Sequence, residues 1–321
     1  MFFTERLIKE QGASPATITA YRDTIRLLLN HAAAATRTPV AALGFAQLDA
    51  AMISGFLHHL ETGRGNTIRT RNARLAAIRA LFTYAARRHP EHASDIARVL
   101  AIGPKRAAHT TVTYLTDPEL AALITACDTG TATGRRDRVM IHLAAQTGLR
   151  AAELLTLTRA DLHLDGGAHV SCRGKGRKQR VTPLTPDTTA VLRGWLAGTP
   201  AASNTGILFT TSRGTALSRD AFARRLTLHT AAAAPLCPSL TGKTVTPHVL
   251  RHTAAMTLLK AGVDTSVIAL WLGHEGTETT QIYLHADMTI KEQALARVQQ
   301  PGTSPGRYQA PDSLLTFLDN L

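Results

Sequence analysis

Five side chains able to handle a phosphodiester lie within the stretch Thr246–His285: His248, Arg251, His252, His274 and Tyr283. Thr246 suits an N-cap and Pro247 a first helical turn, so a helix opens there. His248, Arg251 and His252 fall at i, i+3 and i+4 on one face of its start. Unpaired backbone N–H groups and the helix dipole favour phosphate at that end. Gly262 closes the helix; a shorter one runs through Val267, Ile268 and Leu272 to Gly273. His274 follows that stop, and Tyr283 lies nine residues on, past a Thr-rich turn. Imidazoles, a guanidinium and a phenol are the groups needed to hold a phosphodiester and attack it.

The remaining elements must position these groups. The 321 residues carry a formal net charge of +13 and a pI near 10.4, which points to a polyanionic partner. Nucleic acid fits better than a membrane, since no apolar run approaches the ~20 residues of a spanning helix. The charged start MFFTERLIKEQ shows no signal peptide. Cys127, Cys172 and Cys237 form no CxxC pair and read as reduced thiols of a cytosolic protein.

Residues 1–102 read as a small all-helical bundle. A short amino-terminal helix carries Phe2, Phe3, Leu7 and Ile8. Ser14-Pro15 starts a second helix with Ile18, Tyr21, Ile25 and Leu28 at helical spacing. A third starts near Asp49 and buries Met52, Ile53, Phe56, Leu57 and Leu60. A fourth runs from about Thr67 to Arg88 with Ile68, Leu75, Ile78, Leu81 and Phe82 inward. Between Thr62 and Pro90 stand seven arginines and no acid: Arg64, Arg69, Arg71, Arg74, Arg79, Arg87 and Arg88. A solvated face usually mixes signs, so this stretch reads as a contact to DNA phosphates. Residues 103–114 read as a linker whose Lys105 and Arg106 can track a phosphate strand.

Residues 115–297 mix helices with short strands. Thr116-Asp-Pro-Glu119 is a capping box. A helix from about Arg135 to Gln146 stops at Thr147-Gly148-Leu149, and another resumes over Ala151–Leu157. Arg150 stands at its start with Glu153 at i+3. That pair alone reads equally as a surface ion pair or as a placed guanidinium. His169–Cys172 and Arg180–Leu184 form a β-hairpin whose tip, Arg173-Gly-Lys-Gly-Arg-Lys-Gln179, supplies Arg173, Lys175, Arg177 and Lys178 for a phosphate strand. Thr185-Pro186 starts a helix reaching Trp195, and Ile207–Phe209 reads as a further short strand. Ser218 caps a second basic helix with Arg219, Arg224 and Arg225 for the DNA groove. Residues 298–321 form a tail. Its short helix Asp312–Leu321 is marginal in water alone and must dock, on its own domain or on a neighbouring subunit.

Gln146-Thr-Gly-Leu-Arg-Ala-Ala-Glu-Leu154, the Gly-Lys-Gly hairpin, His248-Val-Leu-Arg-His252, Leu272-Gly-His274 and Tyr283 together resemble the tyrosine recombinase/integrase family. Five segments stand in family order, and the layout resembles the two-domain Xer and Cre type. The resemblance implies a mainly α fold with a small β-sheet: a helical, SAM-like core-binding domain, then a mixed α/β catalytic domain. It implies Tyr283 as the nucleophile that forms a 3′-phosphotyrosine bond. Arg150 and Arg251 would clamp the phosphate, Lys175 would protonate the leaving 5′-oxygen, and His248 would assist the phenol. His274 would donate to the phosphate, while Glu153 and His252 would support the arginines from behind. It also implies double-stranded DNA with specific recombination sites, a tetrameric synapse, accessory DNA-bending proteins, and a cytoplasmic, nucleoid-associated bacterial setting. No metal, ATP or other cofactor is implied.

Three rival readings use the same residues. A type IB topoisomerase shares the constellation but nicks and reseals one duplex. His248-x3-His252 has zinc-pair spacing, yet Arg251 beside it opposes a cation. A non-catalytic DNA-binding relative would not keep all six polar groups. Among other tyrosines, Tyr308 in the tail is the one rival to Tyr283.

Overall fold

The structure, a computed structural model, describes residues 1–107, 112–174, 179–198, 206–273 and Tyr283. Lys175, Arg177, Lys178, His274, Tyr308, the tail helix and the Arg173 side chain lie outside the described residues. The chain divides into two compact units, Met1–Thr110 and Thr111–Leu321.

The first unit is helical throughout. A π-helix over Phe2–Glu10 precedes α1 (Pro15–Thr36), α2 (Ala50–Thr62), α3 (Ile68–Ala86) and α4 (Ala93–Leu100). Ser14, Asp49 and Thr67 cap their helices, each side chain accepting from a backbone N–H three residues on. The apolar stripes meet in one core that includes Leu28, Ile53, Phe56, Leu60, Leu75, Ile78 and Phe82. Burial of each such side chain stabilises by about 1.5–3 kcal/mol. Helix α4 was not evident in the sequence. Only Ile96 and Val99 of it are buried, too few to register as a periodic stripe.

One arginine of the basic stretch points the other way. Arg71 is buried at 6% exposure and donates to the Asn72 side chain and the Gly103 carbonyl, both at 3.1 Å. The Asn72 amide grips the Lys105 backbone in both directions, at 2.8 and 3.0 Å, and the Lys105 ammonium pairs with Glu61. Arg71 therefore holds the start of the linker against α3, contrary to the expected phosphate contact. Arg64, Arg69, Arg79 and Arg106 are exposed, and Arg74 is half-buried.

The second unit contains α5 (Asp117–Thr125), α6 (Ala132–Thr147), α7 (Ala151–Leu155), α8 (Pro186–Ala197), α9 (Arg219–Ala233), α10 (Pro247–Lys260) and α11 (Thr265–Leu272). Strands β1 (Leu162–His163), β2 (His169–Arg173) and β3 (Gln179–Pro183) form one antiparallel sheet in that order. The β2–β3 register pairs His169 with Pro183 and Arg173 with Gln179, so the predicted hairpin is present. Ile207–Phe209 is no strand; Ile207 makes one isolated bridge, with Thr158. Leu123, Met140, Leu143, Leu154, Val170, Leu192, Phe209, Phe222 and Leu250 share the core.

A charged cluster ties α6 to α9. Asp137, fully buried, accepts from Arg136, Arg225 and His229. Burial raises its pKa, but those three hydrogen bonds outweigh it and hold the carboxyl below the ordinary value. Arg225 thus faces Asp137 and not the groove expected for it, while Arg219 and Arg224 are exposed. Among the described residues no helix is long and apolar enough to cross a membrane.

Candidate active site

Helix α6 ends at Gly148, which adopts the left-handed region at φ +65°. A Cβ there would run into the Leu272 side chain and, at 3.3 Å, the Ala254 Cβ, so only glycine lets α10 and α11 approach this turn. The turn delivers Arg150 as the N-cap of α7. Its backbone N–H and guanidinium both donate to Glu153, at 2.8 and 2.9 Å. Its second terminal nitrogen donates to the Gly273 carbonyl at 2.9 Å. The pair that sequence left open is therefore a placed guanidinium, and Glu153 is buried behind it.

Arg251, 4% exposed, donates to the Gly148 carbonyl at 2.6 Å and to the Leu272 carbonyl at 2.7 Å. Burial, then Arg150 and Arg180, push its pKa down to about 10; it stays charged near neutrality. Each guanidinium has five N–H donors, so both arginines retain donors beyond the protein contacts named here.

Arg180 completes the group; in the sequence it stands out only as one more cation beside the basic hairpin tip. It donates to the Leu272 carbonyl at 2.5 Å and to Glu153 at 3.0 Å. The signal was strand alternation: in β3, Arg180 and Thr182 face inward while Val181 faces out. An inward arginine calls for a buried carboxylate, and Glu153 is that carboxylate. Elsewhere in the same unit Glu119 is likewise buried and bound by Lys243 at 2.8 Å.

Helix α10 opens as expected, with Thr246 accepting from the Val249 N–H. His248 is exposed on its first turn. Partial desolvation, then Arg251 and Arg150, hold its pKa below the ordinary histidine value. His252 is half-buried, its ring centre 5.6 Å from that of His248. Tyr283 is 1% exposed among Ala255, Met256, Leu259, Ile268 and Leu272, and its hydroxyl lies 3.0 Å from His252 Nδ1. Burial raises the Tyr283 pKa, with Arg251 and Arg150 pulling against it. His252, expected behind the arginines, instead meets the phenol. The structure thus gathers Arg150, Glu153, Arg251, His252 and Tyr283, with His248 at the rim; Lys175 and His274 lie outside the described residues.

A model of the phage integrase family matches residues 113–289, and one of the phage integrase N-terminal SAM-like domain matches residues 2–89. A Sinorhizobium fredii protein named as an integrase/recombinase, y4rC, is 49% identical over all of this chain and 96% of its own length. The tyrosine recombinase XerC of Chlamydia muridarum is 30% identical over 91% of this chain and 94% of its own. Among solved structures, the XerH site-specific recombinase bound to palindromic difH substrate superposes with a TM-score of 0.70. It is 23% identical and covers 89% of this chain and 81% of that one. The chain belongs to the phage integrase family of tyrosine recombinases.

Proposed function

We infer that this protein is a site-specific DNA recombinase that cuts and rejoins DNA strands through a 3′-phosphotyrosine intermediate. One observation carries the reading. The guanidiniums of Arg150 and Arg251 converge on the adjacent Gly273 and Leu272 carbonyls. Tyr283, 133 positions after Arg150, shares a buried cluster with Leu272, and both arginines act on its phenol. The type IB topoisomerase and non-catalytic alternatives find no support in the relatives.

In this reading the guanidiniums of Arg150 and Arg251 hold the non-bridging oxygens, where charge builds in the pentacoordinate transition state. Tyr283 attacks phosphorus, and the 5′-oxygen leaves with a proton from Lys175. His274 contributes a hydrogen bond at the phosphate, and a histidine of α10 assists proton removal from Tyr283. The new phosphotyrosine keeps the energy of the broken bond, so rejoining requires no ATP, and arginines take the electrostatic part that a metal plays elsewhere. Exchange follows when the free 5′-hydroxyl of a second duplex attacks that bond, which requires a synapse, four protomers in the family pattern. DNA-bending partners can assist the synapse. The XerH neighbour was captured on a palindromic DNA substrate after cleavage, which fits such a two-fold arrangement.

The test is a nicked suicide duplex built on a site recovered by sequencing covalent adducts. The parent protein is expected to form an SDS-resistant DNA adduct, and Tyr283→Phe to bind the same DNA without one. An adduct in the phenylalanine variant moves the nucleophile elsewhere.

A further inference from the structure

Strand cleavage releases one phenolic proton, and the site must take it up. The Tyr283 hydroxyl lies against His252 Nδ1 at 3.0 Å, with ring centres 5.5 Å apart and planes at 65°. That edge-on approach brings the oxygen toward the ring nitrogen and away from the ring face. His248, the histidine that the family pattern associates with the phenol, stands one turn earlier on α10, exposed at the helix start. We propose that His252, and not His248, accepts the Tyr283 proton when a DNA phosphate occupies the arginine pair. The proposal rests on the recombinase reading above and assigns one step within it.

The atoms balance without an added reactant. Tyr283 Oη forms a bond to phosphorus as the bond from phosphorus to the 5′-oxygen breaks. The phenolic proton passes to His252 Nδ1, and the 5′-oxygen takes its proton from a separate acid. On rejoining, an incoming 5′-hydroxyl attacks phosphorus and gives its proton to the conjugate base of that acid, the bond from phosphorus to Tyr283 Oη breaks, and His252 returns the proton to the phenol.

The electrostatics add a bias toward the substrate-bound site. Burial, then His248 and Arg251, push the His252 pKa down to about 4, so the ring is neutral and its lone pair available near neutral pH. Two of those neighbours, His248 and Arg251, are on α10 itself; Arg150 acts on Tyr283 and His248 from the α7 start. Among the described residues none of the groups acting on His252 is an acid. In the free protein such a base is too weak to ionise a buried phenol whose own pKa is raised. A phosphate monoanion on Arg251 offsets the charge of that guanidinium at His252, a smaller influence than burial. The base is thereby stronger with the substrate in place than without it.

The experiment measures single-turnover cleavage of the nicked suicide duplex over roughly pH 4 to 8. It compares the parent, His252→Ala, His252→Asn and His248→Asn, with DNA binding and thermal melting recorded for each. Asparagine keeps an acceptor oxygen near the Nδ1 position but does not titrate. The parent rate is expected to fall toward acid pH. Both His252 variants are expected to lose about 10²–10³ in rate and to lose that acid limb, at unchanged DNA affinity for the folded asparagine form. His248→Asn should be slower yet keep the limb. A limb that vanishes in His248→Asn and persists in His252→Asn overturns the proposal, as does cleavage by His252→Asn near the parent rate or a parent profile flat toward acid pH. Absence of any Tyr283-dependent adduct in the parent overturns the recombinase reading itself, a separate outcome.

Discussion

Arg180 and Arg251 donate to one carbonyl oxygen, that of Leu272, at 2.5 and 2.7 Å. Arg150 takes the next carbonyl, Gly273, at 2.9 Å. Three guanidiniums thus converge on the last turn of α11, where helix carbonyls lack intrahelical partners and the dipole is negative. Among the described residues Glu153 adds a full negative charge, bridging Arg150 and Arg180. This is how three like charges share a site before any phosphate arrives.

Arg180 should therefore act as a positioning residue. Arg180→Ala leaves Glu153 held, among the described residues, by Arg150 and is expected to cost about 3–5 kcal/mol, as for removing one partner of a buried pair. Denaturant unfolding checks the cost. Arg180→Lys restores the charge but not the fork that reaches Leu272 and Glu153 together, so it should recover only part of the loss.

Gly148→Ala should damage the clamp through the backbone. The left-handed conformation costs a non-glycine residue about 1–2 kcal/mol, and the contacts with Leu272 and Ala254 add about 1–3 kcal/mol of overpacking. The displaced Gly148 carbonyl is an acceptor for Arg251. Loss of stability and of cleavage rate is expected together, with DNA affinity less affected, read by melting and by single-turnover cleavage.

Asp137 should set an acid limit to stability. Its folded pKa is depressed, since the hydrogen bonds from His229, Arg225 and Arg136 outweigh the burial that raises it. Its contribution is thus present above the unfolded carboxylate value of ~3.9 and is lost as pH falls through the lower folded value. Asp137→Asn is expected to cost about 3–5 kcal/mol near neutrality. Its stability should also fall less steeply below pH ~4 than that of the parent, measured by urea unfolding across pH.

Much of this was legible because the signals were local. Thr246-Pro247, Ser14-Pro15 and Asp49 mark helix starts by their own chemistry, and each caps a helix. Gly148 and Gly273 mark stops, both at φ +65°. What escaped depends on partners distant in sequence. Arg71 and Arg225 read as surface cations until Gly103 and Asp137 are seen beside them. Arg180 gains meaning only from Glu153, 27 residues earlier. The place of His252 depends on where Tyr283 packs, which helical spacing on α10 does not encode.

The division within the basic stretch of α3 gives a last, quantitative test. Arg69 is exposed, whereas Arg71, two residues on, is buried and bonded to Asn72 and Gly103. A phosphate contact releases counterions, so its removal lowers the slope of log affinity against log salt by about one. Arg69→Ala is expected to weaken DNA binding with that change of slope and little change in stability. Arg71→Ala should do the reverse, lowering the unfolding free energy by loosening the linker start from α3 while leaving the slope in place. Binding titrations from low to physiological salt separate the two. A slope that drops for Arg71→Ala would mean that this guanidinium leaves its buried partners and reaches the DNA backbone.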